Sequence, residues 1–242
     1  MMRSSAGGQF VSTRWTQVLA AADPEHPEAR EALEELCSTY WRPLYCYVRR
    51  QGHGPADSED LTQGFFARLL RLESLAQVRR ERGRFRAFLL ASMKHYLADE
   101  RDRECAEKRG AGRIVPLETG DAETRFRVDP IDPALTPDQV FDREWAIALL
   151  ERVTTQLQSD YADGQRELFA ALSFCLTGSQ SDVPYAELAT RLGMNEPAIR
   201  VAVHRMRKRY REILRDEVAS TVNGPEEVDD ELRQLRRALA GV

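Results

Sequence analysis

A helix-forming run carries Arg200, His204 and Arg205, and the chemistry open to arginines and a histidine on such a helix is base reading. A guanidinium can bond guanine O6 and N7 together in the major groove, worth about 1–3 kcal/mol of discrimination. Arg207, Lys208, Arg209 and Arg211 continue the run as phosphate contacts or as solvated charge. Such side chains need a rigid mount, and the sequence supplies one. YAELATRLGMNEPAIRVAVHRMRKRY, from Tyr185 to Tyr210, reads as helix, tight turn, helix. Ala189 stands where two helices would cross, and Gly193 suits the left-handed residue that ends a helix. Asn195 is placed to cap the second helix, with Glu196 and Pro197 in its first turn. Leu188, Leu192, Ile199, Val203 and Met206 are the expected contacts between the helices. A unit of this kind sets its second helix in the DNA major groove. The competing reading is an ordinary helical hairpin with a solvated basic face; five matched positions favour DNA.

Charge is segregated along the chain. Across 242 residues the formal net charge is only −4, yet Arg200–Arg215 holds seven Lys or Arg against one acid. Asp216–Glu231 holds seven acids and no Lys or Arg. Basic islands in an acidic background touch phosphates locally without general adhesion to nucleic acid. No apolar run approaches a membrane span, and MMRSSAGGQFVSTRW lacks the apolar core of a secretory signal, so a cytoplasmic protein is expected. Cys37, Cys46, Cys105 and Cys175 are scattered without ligand spacing, which predicts reduced thiols and no zinc.

Periodicity is helical throughout, with no convincing strand, so the expected fold is all-α. Helices are predicted over Arg14–Ala22, from Pro27 to about Arg50 with Pro43 as a kink, and from Pro55 to about Leu72. Further helices are predicted from Arg84 to about Lys108 and from a capping box at Thr136–Gln139 through Leu157. Gly164–Leu176, the helix-turn-helix and an amphipathic Pro225–Leu239 complete the series. Between Arg109 and Thr136, glycine, proline and acids dominate, and this reads as a linker. The predicted organisation is an N-terminal extension (1–30), a helical domain (31–109), an acidic linker (110–136), a second helical domain (137–220) and a C-terminal helical extension (221–242).

Three blocks in this order resemble bacterial RNA polymerase sigma factors of the sigma-70 superfamily, extracytoplasmic-function type, over roughly Glu31–Val218. The first, DSEDLTQGFF from Asp57, is similar to the helix of sigma domain two that docks on the clamp helices of the largest polymerase subunit. By that resemblance Asp57, Glu59, Asp60 and Gln63 are polymerase-binding, and charged pairs of this kind set partner choice and association rate. The acids equally suit a helix N-terminus, by roughly 0.3–1 kcal/mol each. Gly64 departs from the family pattern and is expected to soften the helix by up to about 1 kcal/mol.

The second block, from Arg84 to Arg103, resembles the promoter-melting segment. Opening a duplex requires cations on the backbone of the freed strand and aromatic surfaces for unstacked bases, with stacking worth about 1–3 kcal/mol per base. The resemblance assigns Arg84, Arg86, Lys94, Arg101 and Arg103 to the first task. It assigns Phe85, His95 and Tyr96 to the second, with Phe88 mostly a core residue. His95 stands where the family commonly has asparagine. The third block is the helix-turn-helix, similar to sigma domain four. There Asn195, Glu196, Arg200, Val201, His204, Arg205, Arg207 and Lys208 are the residues expected at the −35 element, with the polymerase flap as a further contact.

The resemblance implies a transcription-initiation factor that binds core RNA polymerase, recognises −35 and −10 promoter elements and meets both double- and single-stranded promoter DNA. The linker acids Glu118, Asp121, Glu123, Asp129 and Asp132 fit a channel built for anionic RNA, and equally a solvated spacer. An anti-sigma factor or other regulator is an expected partner; a membrane is not. A free-standing helix-turn-helix regulator, acting without polymerase, is the alternative. No nucleophile elbow, phosphate loop or metal-ligand helix is present in the sequence, so no enzyme activity, cofactor or metal is expected.

Overall fold

The computed structural model of the chain describes residues 27, 29–71, 84–107, 132–161, 165–176, 185–222 and 224–241. The expected Arg14–Ala22 helix and all of the acidic linker up to residue 131 lie outside them. Among the described residues the secondary structure is helical, with no strand. They divide into two compact units: one up to Ala148 and again from Ala219, the other Leu149–Val218.

The first unit begins with α1 (Ala29–Arg50), α2 (Pro55–Arg71) and α3 (Phe85–Glu107). Leu36, Tyr40, Leu44, Tyr47 and Val48 recur at helical spacing on α1 and are buried. Pro43, expected as a kink, lies inside a helix that runs through it. Its ring nitrogen has no proton for the Thr39 carbonyl, and burial of Tyr40, Leu44 and Tyr47 around it outweighs the missing bond. Gly52, at φ 99°, ends the helix, and its N–H bonds Arg49 O at 3.1 Å. On α2 a proline sits at the first position, and Phe65, Phe66 and Leu69 point inward. The Phe66 ring stacks on Trp41 of α1 at 5.7 Å. Phe85, Leu89, Met93, Tyr96 and Leu97 form the buried stripe of α3.

The fourth helix, α4 (Pro137–Asp160), starts at the expected capping box. Thr136 N–H donates to Gln139 Oε1 at 2.9 Å, and Gln139 N–H to Thr136 Oγ1 at 3.3 Å, the reciprocal pattern of that motif. Here the structure departs from the expected organisation, which opened a second domain at 137. The first turns of α4 belong to the first unit, and the division falls after Ala148, inside the helix. The physical reason lies in Glu144 and Trp145, both buried. Glu144 Oε2 meets Arg42 Nε of α1 at 2.9 Å, and the Trp145 ring lies 4.7 Å from the Arg86 guanidinium of α3. The end of the expected linker is likewise built in: Leu135 is buried with Tyr45, Cys46 and Val140. Arg50 Nε donates to the Leu135 carbonyl at 3.0 Å.

The second unit holds the rest of α4, α5 (Arg166–Leu172), a 3-10 turn (Ser173–Cys175), α6 (Tyr185–Leu192) and α7 (Glu196–Ala219) up to Val218. Leu149, Val153 and Leu157 of α4 are buried, as are Phe169 and Leu172 of α5. The Tyr161 and Phe169 rings lie 5.6 Å apart. After α7 the chain rejoins the first unit through a 3-10 turn (Pro225–Glu227) and α8 (Val228–Ala240). Sequence periodicity placed α8 in a separate extension; its Val228 and Leu235 are buried, and so is Glu231.

Candidate nucleic-acid interface

The turn between α6 and α7 sets the geometry of the basic face. Gly193 adopts φ 62°, a left-handed conformation that costs a side-chain-bearing residue about 1–2 kcal/mol. The Met194 N–H reaches back to Ala189 O at 2.9 Å and the Gly193 N–H to Thr190 O at 3.4 Å, which together make a Schellman motif. Asn195 then caps α7: its Oδ1 accepts the Ala198 N–H at 2.8 Å. Leu188, Ala189, Ile199, Val203 and Met206 are buried, and Leu192 is half-buried. The inner positions named from the sequence therefore carry the packing, and what they turn outward is Arg200, Val201, His204, Arg205 and Lys208. Val201 is 49% exposed, a large apolar side chain left to solvent beside three basic ones.

Arg200 is held before any ligand arrives. Its Nε meets Glu196 Oε1 at 3.2 Å, and its guanidinium lies 5.0 Å from the Tyr185 ring centroid. A stacked, ion-paired guanidinium loses little freedom on meeting a planar pair of acceptors. Lys208 is free enough to follow a phosphate, with Glu212 at 3.8 Å as its neighbour. Arg207 differs from expectation. It is half-buried, and its Nε donates to the Cys175 carbonyl at 3.0 Å, tying α7 to the 3-10 turn instead of facing outward. Arg209 pairs with Asp160 of α4 at 2.6 Å.

In the first unit the acidic end of α2 is exposed: Asp57, Asp60 and Gln63 face solvent while Glu59 is half-buried. Ser58 and Thr62 occupy the inner side, with Thr62 Oγ1 donating to Ser58 O at 2.6 Å. Gly64 has a reason in the structure that the sequence hid. A Cβ there would land on the Tyr96 hydroxyl, with the ring carbon bearing it at 3.4 Å. Burial pushes the Tyr96 phenol pKa upward, and the Glu100 carboxylate adds to this.

The residues expected to meet a separated strand fall into two groups. His95, Arg101 and Arg103 are exposed, Arg103 pairing with Glu100 at 2.7 Å. Lys94 is exposed too, and its bond to Asp138 Oδ2 at 2.6 Å raises its pKa. Tyr96 is only 8% exposed and meets Phe65 edge-on, at 5.9 Å between centroids. Its ring, with Phe65, Arg68, Phe88 and His95, lines a groove of about 280 Å³ between α2 and α3. The other group points inward. Phe85 is wholly buried against Tyr40, 5.3 Å between centroids, and its N–H donates to Thr221 O at 3.2 Å. Arg86 is 8% exposed and bonds Glu231 Oε1 through Nε at 2.6 Å and Asp142 through Nη1. Burial opposes the Arg86 charge, yet the Glu231 and Asp142 carboxylates outweigh it and hold the guanidinium protonated. Burial raises the Asp142 pKa in spite of Arg86. Arg84, half-buried, meets Glu231 Oε2 at 2.9 Å and Asp230 at 3.7 Å. As folded here, Phe85 offers no stacking surface and Arg86 no free charge; an apolar face and a buried carboxylate claimed them first.

Sequence reading missed Glu231. It is one of seven acids in a run, and only its place between Val228 and Leu235 on the apolar side of α8 marked it as different. Among the described residues no helix is long and apolar enough to cross a membrane. Nor does any group of three or more His, Cys, Asp or Glu there stand close enough to hold a metal ion. Comparison with protein-family models, with curated proteins and with solved structures finds no match.

Proposed function

We propose that this chain is a promoter-specificity subunit of the sigma kind: it joins core RNA polymerase, reads an upstream promoter element as duplex and directs transcription initiation. The observation that carries the reading is the helix-turn-helix. Its Schellman turn, capped second helix and buried crossing leave Arg200, Val201, His204 and Arg205 together on an exposed face. The exposed Asp57, Asp60 and Gln63 on α2 support polymerase docking, since a carboxylate-rich helix end suits arginines on a partner helix. The aromatic groove beside His95 and the exposed Arg101 and Arg103 support contact with a freed strand.

Co-elution with bacterial core RNA polymerase, followed by transcription from a genomic promoter library, tests the reading. The chain is expected to co-elute at low and moderate salt and to start transcripts from sites sharing an upstream element. Absence of both sinks it. The burial of Phe85 and Arg86 favours a second reading, a free-standing regulator that binds duplex DNA and never opens it. That reading requires site-specific duplex binding by the isolated chain, which the first does not.

A further inference from the structure

Glu231 is a carboxylate with no exposure to water, and the two guanidiniums that bond it come from one tripeptide. Arg86 presents Nε at 2.6 Å to one oxygen and Nη2 at 3.3 Å to the other; Arg84 adds its Nε at 2.9 Å. Two guanidinium groups converging on one planar anion form a receptor suited to carboxylate or phosphate. The residue between them, Phe85, is bonded through its N–H to Thr221, in the segment that leads into α8. The apolar side of the helix that carries the anion is unevenly buried. Val228 and Leu235 are buried, while Leu232 is half-buried and Leu239 is 38% exposed. A buried ion pair roughly breaks even against the desolvation of its charges. Exchange of one anion for another at such a site therefore costs little, provided the departing carboxylate reaches water.

We propose that Arg84 and Arg86 form a phosphate-binding site for the backbone of single-stranded DNA, and that α8 is an autoinhibitory segment whose Glu231 occupies the site in this structure. The inference rests on the reading that the α3 region meets a separated strand, and it gives that surface a means of regulation. In the closed state the two guanidiniums are neutralised. When α8 leaves, Glu231, Asp229 and Asp230 go with it, and two cations at the head of α3 become available to phosphates. Asp142 stays behind and keeps one contact to Arg86, so the site opens without leaving that arginine unpaired.

The test uses the full chain, the Glu231→Gln variant of matching shape, and a fluorescent mixed-sequence oligodeoxynucleotide. Glu231→Gln is expected to bind the strand about tenfold more tightly, the gain of one charge-assisted contact. Its salt dependence is expected to steepen by about 0.7 per added phosphate. In the wild type, amide hydrogen exchange over 228–240 is expected to accelerate when the strand saturates the protein, a readout that stands even if the variant does not fold. Unchanged exchange over α8 in the saturated complex overturns the proposal, as does a folded Glu231→Gln with unchanged affinity and salt slope, or no strand binding by either protein. Polymerase co-elution is scored separately. Release of α8 by the strand without co-elution keeps the latch and sinks the sigma reading; co-elution with a static α8 does the reverse.

Discussion

Replacing Gly64 with alanine inverts an ordinary rule. In a helix interior the change normally stabilises by about 1 kcal/mol, because glycine has more backbone freedom to lose. Here the new methyl group meets the Tyr96 hydroxyl well inside van der Waals contact. Tyr96 cannot swing away cheaply: it is 8% exposed, edge-on to Phe65, with the Arg68 guanidinium 5.7 Å from its ring centroid. Forcing a side chain into space another already holds costs about 1–3 kcal/mol. The net effect of Gly64→Ala is therefore a loss of about 1 kcal/mol. Tyr96→Phe removes the clashing atom and leaves the ring carbon at 3.4 Å, an ordinary contact. On that background Gly64→Ala should stabilise by up to about 1 kcal/mol. The two sites thus couple by about 2 kcal/mol, measurable by urea unfolding of the four proteins as a double-mutant cycle. A Gly64→Ala protein more stable than wild type, with the same gain in the Tyr96→Phe background, would refute the reasoning.

Other outcomes follow from single contacts. Asn195→Ala removes the acceptor for the Ala198 N–H and should cost about 1 kcal/mol of stability in thermal unfolding, with Asn195→Asp close to neutral. Arg200→Ala with Arg205→Ala should reduce use of the upstream element, by about 1–3 kcal/mol per base pair lost, while polymerase co-elution persists; Asp57, Glu59 and Asp60 changed to lysine should give the opposite pattern, and loss of both properties together would refute separate surfaces. The Cys46 thiol is pushed up to about 12, chiefly by burial and then by Glu144, from an ordinary 9.0. The unfolded thiol ionises first, so this contribution is complete below pH 9 and is lost as pH rises towards 12. Wild-type stability relative to Cys46→Ala should accordingly fall by about 1.4 kcal/mol per pH unit in that window. Alkylation near pH 8 should mark the exposed Cys105 and spare Cys46 and Cys175.

Local signals in the chain were legible and long-range ones were not. The Gly193 turn, the Asn195 cap and the Thr136–Gln139 box are each written within four or five residues, and the structure forms all three. Helix interiors follow from apolar spacing, as on α1 and α2. Partners of buried charges carry no such pattern. Glu144 with Arg42, and Glu231 with Arg84 and Arg86, look in sequence like solvated acids and strand-holding cations. The same limit hides the inclusion of the first turns of α4 in the first unit, where Trp145 packs against Arg86. It also assigned Arg207 outward, since nothing near it in sequence announces the Cys175 carbonyl.

The Arg86–Glu231 bond joins residues 145 positions apart, and this separation has a consequence during biosynthesis. Ribosomes add roughly 5–20 residues per second, so the guanidiniums emerge roughly seven to thirty seconds ahead of the Glu231 carboxylate. Asp142 follows Arg86 by 56 residues and shares its charge early, whereas Arg84 lacks the carboxylates of Asp230 and Glu231 until the last helix has been made.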